Sequence, residues 1–521
     1  MIIFEESMKI FFTSRDKKRY KKYLDLNIKY KELGLKIDAA SDKKDLLCLQ
    51  VYATECQQYI DITTDPLELA ILYYFKANAL HGSRKSKSWD WCPKTEGQAL
   101  LAIRNAVRYA EKVQTEIPPQ DMARRYTNLA NETDFAGLFI EAGELYEKAL
   151  SFQPNKGVAL LNKGINLDYY LRYLFEEEVQ QIFAHEASFW FKEAMRIGKT
   201  DLLEEKVPID ILKSKYKYFF ESPKFVRLKE FIEPIPFIEP ELSYRVWAAK
   251  HRLFLNPLND ICPKAANLYP LEDRLKPPSF CFVKGSKREF LPLRINQIKQ
   301  EFISARTLFF EGIEAQTKHY SDNLTHLEIH PLISGNIYAF NLEKIKLALR
   351  STYSLFDKIA GIIADIYLSE ERGKVYFRRF WYENGDINQP LKSFFSTEPK
   401  SHNFNRSNLA LRALFSIAND FSSSEEQWQN SIDEEMKDIT AIRNALEHEG
   451  LEILKMGESD VAARIITFKD LVIKTIYLLK KCRNSIIYLI LAINCEAKFE
   501  KGKDNKREYL YKGLLIQLMK L

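Results

Sequence analysis

The sequence predicts an all-α protein in three parts: helical repeats over 1–204, a proline-rich folded connector over 205–335, and a helical bundle over 336–521. Three observations carry this. Apolar residues recur at helical spacing through most of the chain, most plainly from Glu343 to Leu368. A helix–turn–helix pattern recurs between residues 60 and 200, as stacked repeats require. Between them, prolines gather at 234, 236, 240, 257, 263, 270, 277 and 278, and the periodicity weakens.

The bulk properties set bounds. A chain of 521 residues exceeds one ordinary core. With 46% apolar and 28% charged residues it can bury that core and is not a disordered chain. The formal charge of +6 neither demands nor excludes nucleic acid, so local patches must decide. Seven scattered cysteines without a CxxC pair point to a reduced, cytoplasmic setting. The start, MIIFEESMKIFF, interrupts its apolar run with acids and does not read as a signal peptide. The most apolar run, Ser485 to Ile493, is shorter than the roughly 20 residues of a spanning helix, so no membrane partner is expected.

Residues 1–60 read as helices of mixed charge, and the basic run Lys17 to Lys22 has two readings, a solvated helix face or a ligand contact. Ala123 to Pro154 places Tyr126, Leu129, Ala130, Gly137, Ala142, Tyr146, Ala149, Leu150 and Pro154 where a tetratricopeptide (TPR) unit needs small or bulky groups. Small residues let two helices approach, and Pro154 blocks continuation of the second. The unit resembles a TPR repeat, with looser copies over Leu69 to Val113 and Leu160 to Ala194. That likeness implies a protein or peptide partner on the repeat face; the alternative is that the repeats only brace the rest of the chain. The loop holding Arg84, Lys85, Lys87, Trp89 and Trp91 has two readings: a nucleic-acid grip, or a surface loop with a Trp plugging a gap.

In the connector, Tyr244 to Pro263 reads as a helix closed at Asn256-Pro257. His319, His326 and His330 cluster, but no Cys or paired acid completes a metal set, so no metal site and no cofactor are expected. In the C-terminal part, helices are expected over Glu343 to Leu368, Asn405 to Phe421, Asp433 to Lys455 and Phe468 to Ala497, together forming a bundle. The basic, aromatic segment Arg372 to Trp381 makes Arg378 and Arg379 candidate RNA contacts; a hairpin insert turned at Asn384-Gly385 is the alternative.

The end of the third of these helices reads Arg443-Asn444-Ala445-Leu446-Glu447-His448. This RNxxxH stretch, and Tyr353-Ser354-Leu355-Phe356-Asp357-Lys358-Ile359-Ala360 on the first helix, resemble HEPN-domain ribonucleases. Repeats before such a domain, and the phrase WAAKHRLFLNPLNDICP, are similar to a bacterial TPR–HEPN family of presumed defence or toxin proteins. The resemblance implies a metal-independent endoribonuclease that works as a homodimer, since one domain supplies one His. It implies Arg443, Asn444, His448 and Asp357 as site residues. Chemically, His448 suits an acid/base role near neutral pH, and Arg443 suits a phosphate fork. Cleavage through the ribose 2′-OH would leave 2′,3′-cyclic phosphate and 5′-OH ends. One geometric demand follows. At about 100° per residue, Arg443 and His448 point roughly 140° apart, so the Arg length or a local distortion before Gly450 must bring them together. The competing readings are a non-catalytic TPR scaffold whose HEPN domain dimerises or binds RNA or a nucleotide, and a metal-dependent nuclease using the histidines at 319–330.

Overall fold

A computed structural model describes residues 19–84, 96–205, 207–221, 236–262, 269–277, 290–314, 339–367, 375–392, 395, 408–421, 433–455 and 457–504. They are overwhelmingly α-helical. They fall into two compact units: residues 19–172 with 183–221, and residues 173–182 with 236–504.

The first unit is a run of helices: the first seven pack each on the next, and ring contacts of Tyr170 with Phe139 and Phe183 join the last two. They are α1 (Lys21–Lys29), α2 (Lys31–Asp42), α3 (Leu46–Ile62), α4 (Pro66–Gly82), α5 (Glu96–Lys112), α6 (Pro119–Phe135), α7 (Phe139–Phe152), α8 (Gly157–Tyr173) and α9 (Glu177–Arg196), the last from Phe183 onward. Local chemistry sets their ends. Asp65 caps α4 by accepting the Leu67 N–H, with Pro66 in the first turn. Helix α6 stops at Gly137, whose φ of 87° few side chains tolerate. There the Leu138 N–H reaches the Thr133 carbonyl and the Gly137 N–H reaches that of Asp134, the paired bonds of a Schellman ending. The α6–α7 hairpin buries Tyr126, Ala130, Ala142, Tyr146 and Ala149 between its helices. Gly164 of α8 lies so close to the Phe191 ring that a Cβ would sit 3.1 Å from it. Arg84 turns inward, pairing with the buried Glu132 and stacking 4.4 Å from the Phe135 ring. Trp89 and Trp91 lie outside the described residues.

The second unit is a bundle around one long helix. Its elements are α10 (Glu241–Lys250), α11 (Leu291–Glu314), α12 (Phe340–Tyr367), α13 (Leu409–Asp420), α14 (Glu434–Asn444) and α15 (Phe468–Asp504), with strands β1 (Glu452–Leu454) and β2 (Ile465–Thr467) before α15. Helix α15 packs on α11, α12, α13 and α14. Ser485 to Ile493 is buried on every side, as expected of an apolar run enclosed by neighbours. No helix among the described residues is long and apolar enough to cross a membrane.

Buried charges tie the elements to α15. Arg483, with no exposed side-chain surface, donates to the Phe254 and Asn256 carbonyls at 2.8 Å each and to Asp260. Arg306 of α11 forks onto Asp273 at 2.9 and 2.8 Å and also reaches the Leu253 carbonyl. The WAAKHRLFLNPLNDICP phrase thus folds around two arginines far away in sequence. Lys481 of α15 sits between Asp420 and Asp433, all three buried.

The structure departs from expectation after α14. The helix predicted to run to Lys455 ends at Glu449, and β1 follows, paired in parallel with β2. Gly450 causes the break, with φ 92° and ψ 148°, a region essentially reserved for glycine. Asn384-Gly385 does form a turn, with φ of 56° and 65°, between Tyr382 and Leu391, which share an antiparallel bridge.

Candidate active site

Helix α14 is set from its first residue. Asp433 accepts the Glu435 and Met436 N–H groups at 3.0 and 3.4 Å, and Glu434 and Glu435 favour the positive end of the helix. Lys481 and the Tyr477 hydroxyl hold the same Asp433 side chain. One turn on, Lys474 of α15 bridges Glu435 and Asp438 at 2.9 and 2.8 Å. Met436, Ile439, Thr440 and Ile442 face the core, which leaves Arg443 half-buried and Asn444 exposed at the end of the helix.

The last turn is not α-helical. Residues Ala445–Glu449 form a π turn, closed by the Gly450 N–H on the Ala445 carbonyl at 2.7 Å. A bond to the fifth residue back widens the turn, so residues five apart come nearer one face than the 100° rule allows. That is the distortion the Arg443–His448 spacing asks for. Two ion pairs clamp the turn from outside. Arg350 of α12 forks onto Glu447 at 2.8 and 2.9 Å, and Arg464, just before β2, pairs with Glu449 at 2.5 Å. The Arg350 bond holds the Glu447 carboxyl below its usual range, with Arg443 and His448 adding weaker pulls in the same direction.

Arg443 lies over the Tyr353 ring, 5.4 Å from its centroid, and donates to Asn444 Oδ1 at 3.0 Å. The Tyr353 hydroxyl lies 3.3 Å from Thr440 Oγ1. Burial raises the Tyr353 hydroxyl pKa, against smaller lowering effects from the Thr440 bond and the Arg443 and Arg378 charges. Asp357, one turn further along α12, accepts the Phe377 N–H at 2.8 Å. Its carboxyl keeps contact with solvent, yet crowding by its neighbours raises its pKa above the usual range; the Phe377 bond and the Arg443 charge oppose the rise. Arg378 follows Phe377, and burial with the adjacent Arg379 charge lowers its pKa.

The structure therefore brings Arg443, Asn444, Tyr353, Asp357 and Arg378 into one cluster. His448 stands exposed on the π turn, and Arg379 is exposed beside Arg378. Asn444 Oδ1 meets Arg443. His319, His326 and His330 lie outside the described residues, and among those described no group of three His, Cys, Asp or Glu is placed to hold a metal. Tyr353, Arg350 and Glu447 were not singled out as site residues from the sequence. A signal existed for two of them: Arg350, Tyr353 and Asp357 are spaced three and four apart, one stripe of α12.

Residues 282–496 match the LA2681-like HEPN family. No curated protein and no solved structure matches the chain. The matched residues include α11 to α14, the π turn and most of α15, and this part of the chain is a HEPN-superfamily domain.

Proposed function

We propose that the protein is a metal-independent endoribonuclease of HEPN type, with Arg443 and His448 at the centre of its site. The HEPN match points to a nuclease or RNA-related role. The observation that supports the finer reading is the π turn Ala445–Glu449, since such a turn narrows the angle between residues five apart. In this reading Arg443 grips the scissile phosphate as a fork, steadied from behind by the Tyr353 ring. His448 moves a proton, either from the ribose 2′-OH or to the departing 5′-oxygen. Asn444 orients the Arg443 guanidinium. Asp357 pins the backbone at Phe377 and so presents Arg378 and Arg379 to the RNA.

One His serves one of the two proton transfers. The second comes from another copy of the chain, so the active form is a homodimer through the HEPN domain. The helical array of the first unit binds a protein or peptide that gates the activity, as suits a toxin or antiviral effector. The test is RNA digestion in EDTA by wild type, Arg443→Ala and His448→Ala. The reading expects cleavage by wild type alone, and undiminished cleavage by both variants would sink it.

A further inference from the structure

A row of side-chain amides crosses three helices of the first unit. Asn78 of α4, Asn128 and Asn131 of α6, and Asn162 of α8 are all half-buried. Asn128 Nδ2 donates to the Tyr74 hydroxyl at 3.0 Å and to Asn78 Oδ1 at 3.4 Å. Asn131 Oδ1 accepts from Asn162 Nδ2 and from the Tyr146 hydroxyl of α7, both at 2.8 Å. These bonds set the amide orientations and leave three atoms over. Among the described residues, Asn128 Oδ1, Asn131 Nδ2 and Asn162 Oδ1 meet no partner. Along the row they read acceptor, donor, acceptor. Asp134 continues the stripe of Asn128 and Asn131, one turn further along α6. It is half-buried and accepts from Asn166 Nδ2 at 2.8 Å, and no Lys, Arg or His among the described residues pairs with it. Burial raises its pKa to about 6, with the Asn166 bond opposing, so near neutral pH it is ionised without a cation. A carboxylate that loses water without gaining a cation is costly. Arg124, at the other end of the stripe, does not offset it, being held by Asp121 at 3.1 Å.

We infer that this face takes an extended peptide carrying a lysine or arginine, its backbone on the amide row and its cation on Asp134. An extended strand shows the N–H and C=O of one residue on the same edge, followed by the N–H of the residue two further on. That edge reads donor, acceptor, donor, the complement of the row. At i, i+3 the two α6 amides have Cβ atoms about 5–6 Å apart. A strand edge repeats at about 6.4–6.8 Å, so the spacings suit each other. The Asp134 charge selects the side chain: a basic residue gains an ion pair there, and an acidic one meets like charge. It also disfavours a nucleic-acid strand, whose phosphates are anionic. Resting on the reading that the helical array binds a gating protein or peptide, this gives that partner an extended backbone and a basic side chain.

The experiment is fluorescence polarisation of the full chain with three labelled peptides: alternating lysine and serine, alternating glutamate and serine, and the lysine peptide fully N-methylated. Wild type should bind the lysine peptide saturably, and each of the other two at least about 10-fold more weakly. Those arms need no variant, so a folding artefact cannot mimic them. Asp134→Asn should abolish the preference for lysine over glutamate while the protein melts no earlier, since the uncompensated charge is gone. Asn128→Leu should weaken the lysine peptide about 2- to 10-fold and keep the preference for lysine. Absence of saturable binding by wild type would overturn the assignment. So would equal affinity for the lysine and glutamate peptides, full affinity for the N-methylated peptide, or an undiminished preference in Asp134→Asn. Lysine-peptide binding that leaves RNA cleavage unchanged would support the site and sink the gating reading alone.

Discussion

Substituting Gly450 by alanine isolates the backbone break that shapes the site. A Cβ at this position meets nothing within 4 Å, so the change adds no clash. What remains is the conformation itself, φ 92° and ψ 148°, which costs a non-glycine residue about 1–3 kcal/mol. Alanine also stiffens the unfolded chain, which offsets about 0.4–1 kcal/mol where the native conformation suits it and less here. The net is a local destabilisation of about 1–2 kcal/mol, a factor of roughly 5–30 in the opening equilibrium. In a protein of several units this is best read locally. Hydrogen exchange of the amides from Gly450 through β1 should accelerate by that factor in Gly450→Ala, with the amides of α15 unchanged. Gly450→Asn should not rescue, because asparagine tolerates the left-handed helical region near ψ +45°, not ψ 148°. RNA cleavage should fall in step, since His448 lies two residues before the break. Exchange and cleavage both at wild-type levels would refute the claim that this glycine sets the turn.

Three further outcomes are expected. Lys481→Met removes a cation shared by the buried Asp420 and Asp433 and should destabilise by about 3–5 kcal/mol, measured as earlier thermal unfolding. An unchanged melting curve would show that the aspartates find other partners. Tyr353→Leu removes the ring behind Arg443, a contact of about 0.5–1 kcal/mol, and should weaken RNA binding about 2- to 5-fold, while Tyr353→Phe keeps it. Equal losses in the two variants would assign the effect to the hydroxyl instead. Glu447→Arg should lower cleavage without unfolding the protein, and adding Arg350→Glu should restore part of it. A double variant no better than the single would remove the pair from any positioning role.

Much of the second unit is legible in the sequence because its helices carry strong periodic signals. The stripe read over Glu343 to Leu368 becomes Phe340–Tyr367, and the helix read over Phe468 to Ala497 becomes the central α15. The turn at Asn384-Gly385 is legible because those residues tolerate positive φ. The end of α14 is harder to read. Leu451 and Leu454 extend the helical spacing, and only the unusual ψ of Gly450 redirects the chain into a strand. The π turn has no signature in spacing; it enters the sequence reading only as a demand made by Arg443 and His448. Long-range charge pairs leave still less trace. Arg483 meets Asp260 across 223 residues and Arg350 meets Glu447 across 97, and nothing local in either segment names its partner.

The central claim is that Arg443 and His448 cleave RNA without a metal. Its most direct test is the chemistry of the RNA ends after digestion in EDTA by purified wild type and His448→Ala. The account predicts 2′,3′-cyclic phosphate and 5′-OH ends from wild type and no such ends from the variant. Ends bearing a 5′-phosphate, cleavage abolished by EDTA, or identical ends from both proteins would contradict it.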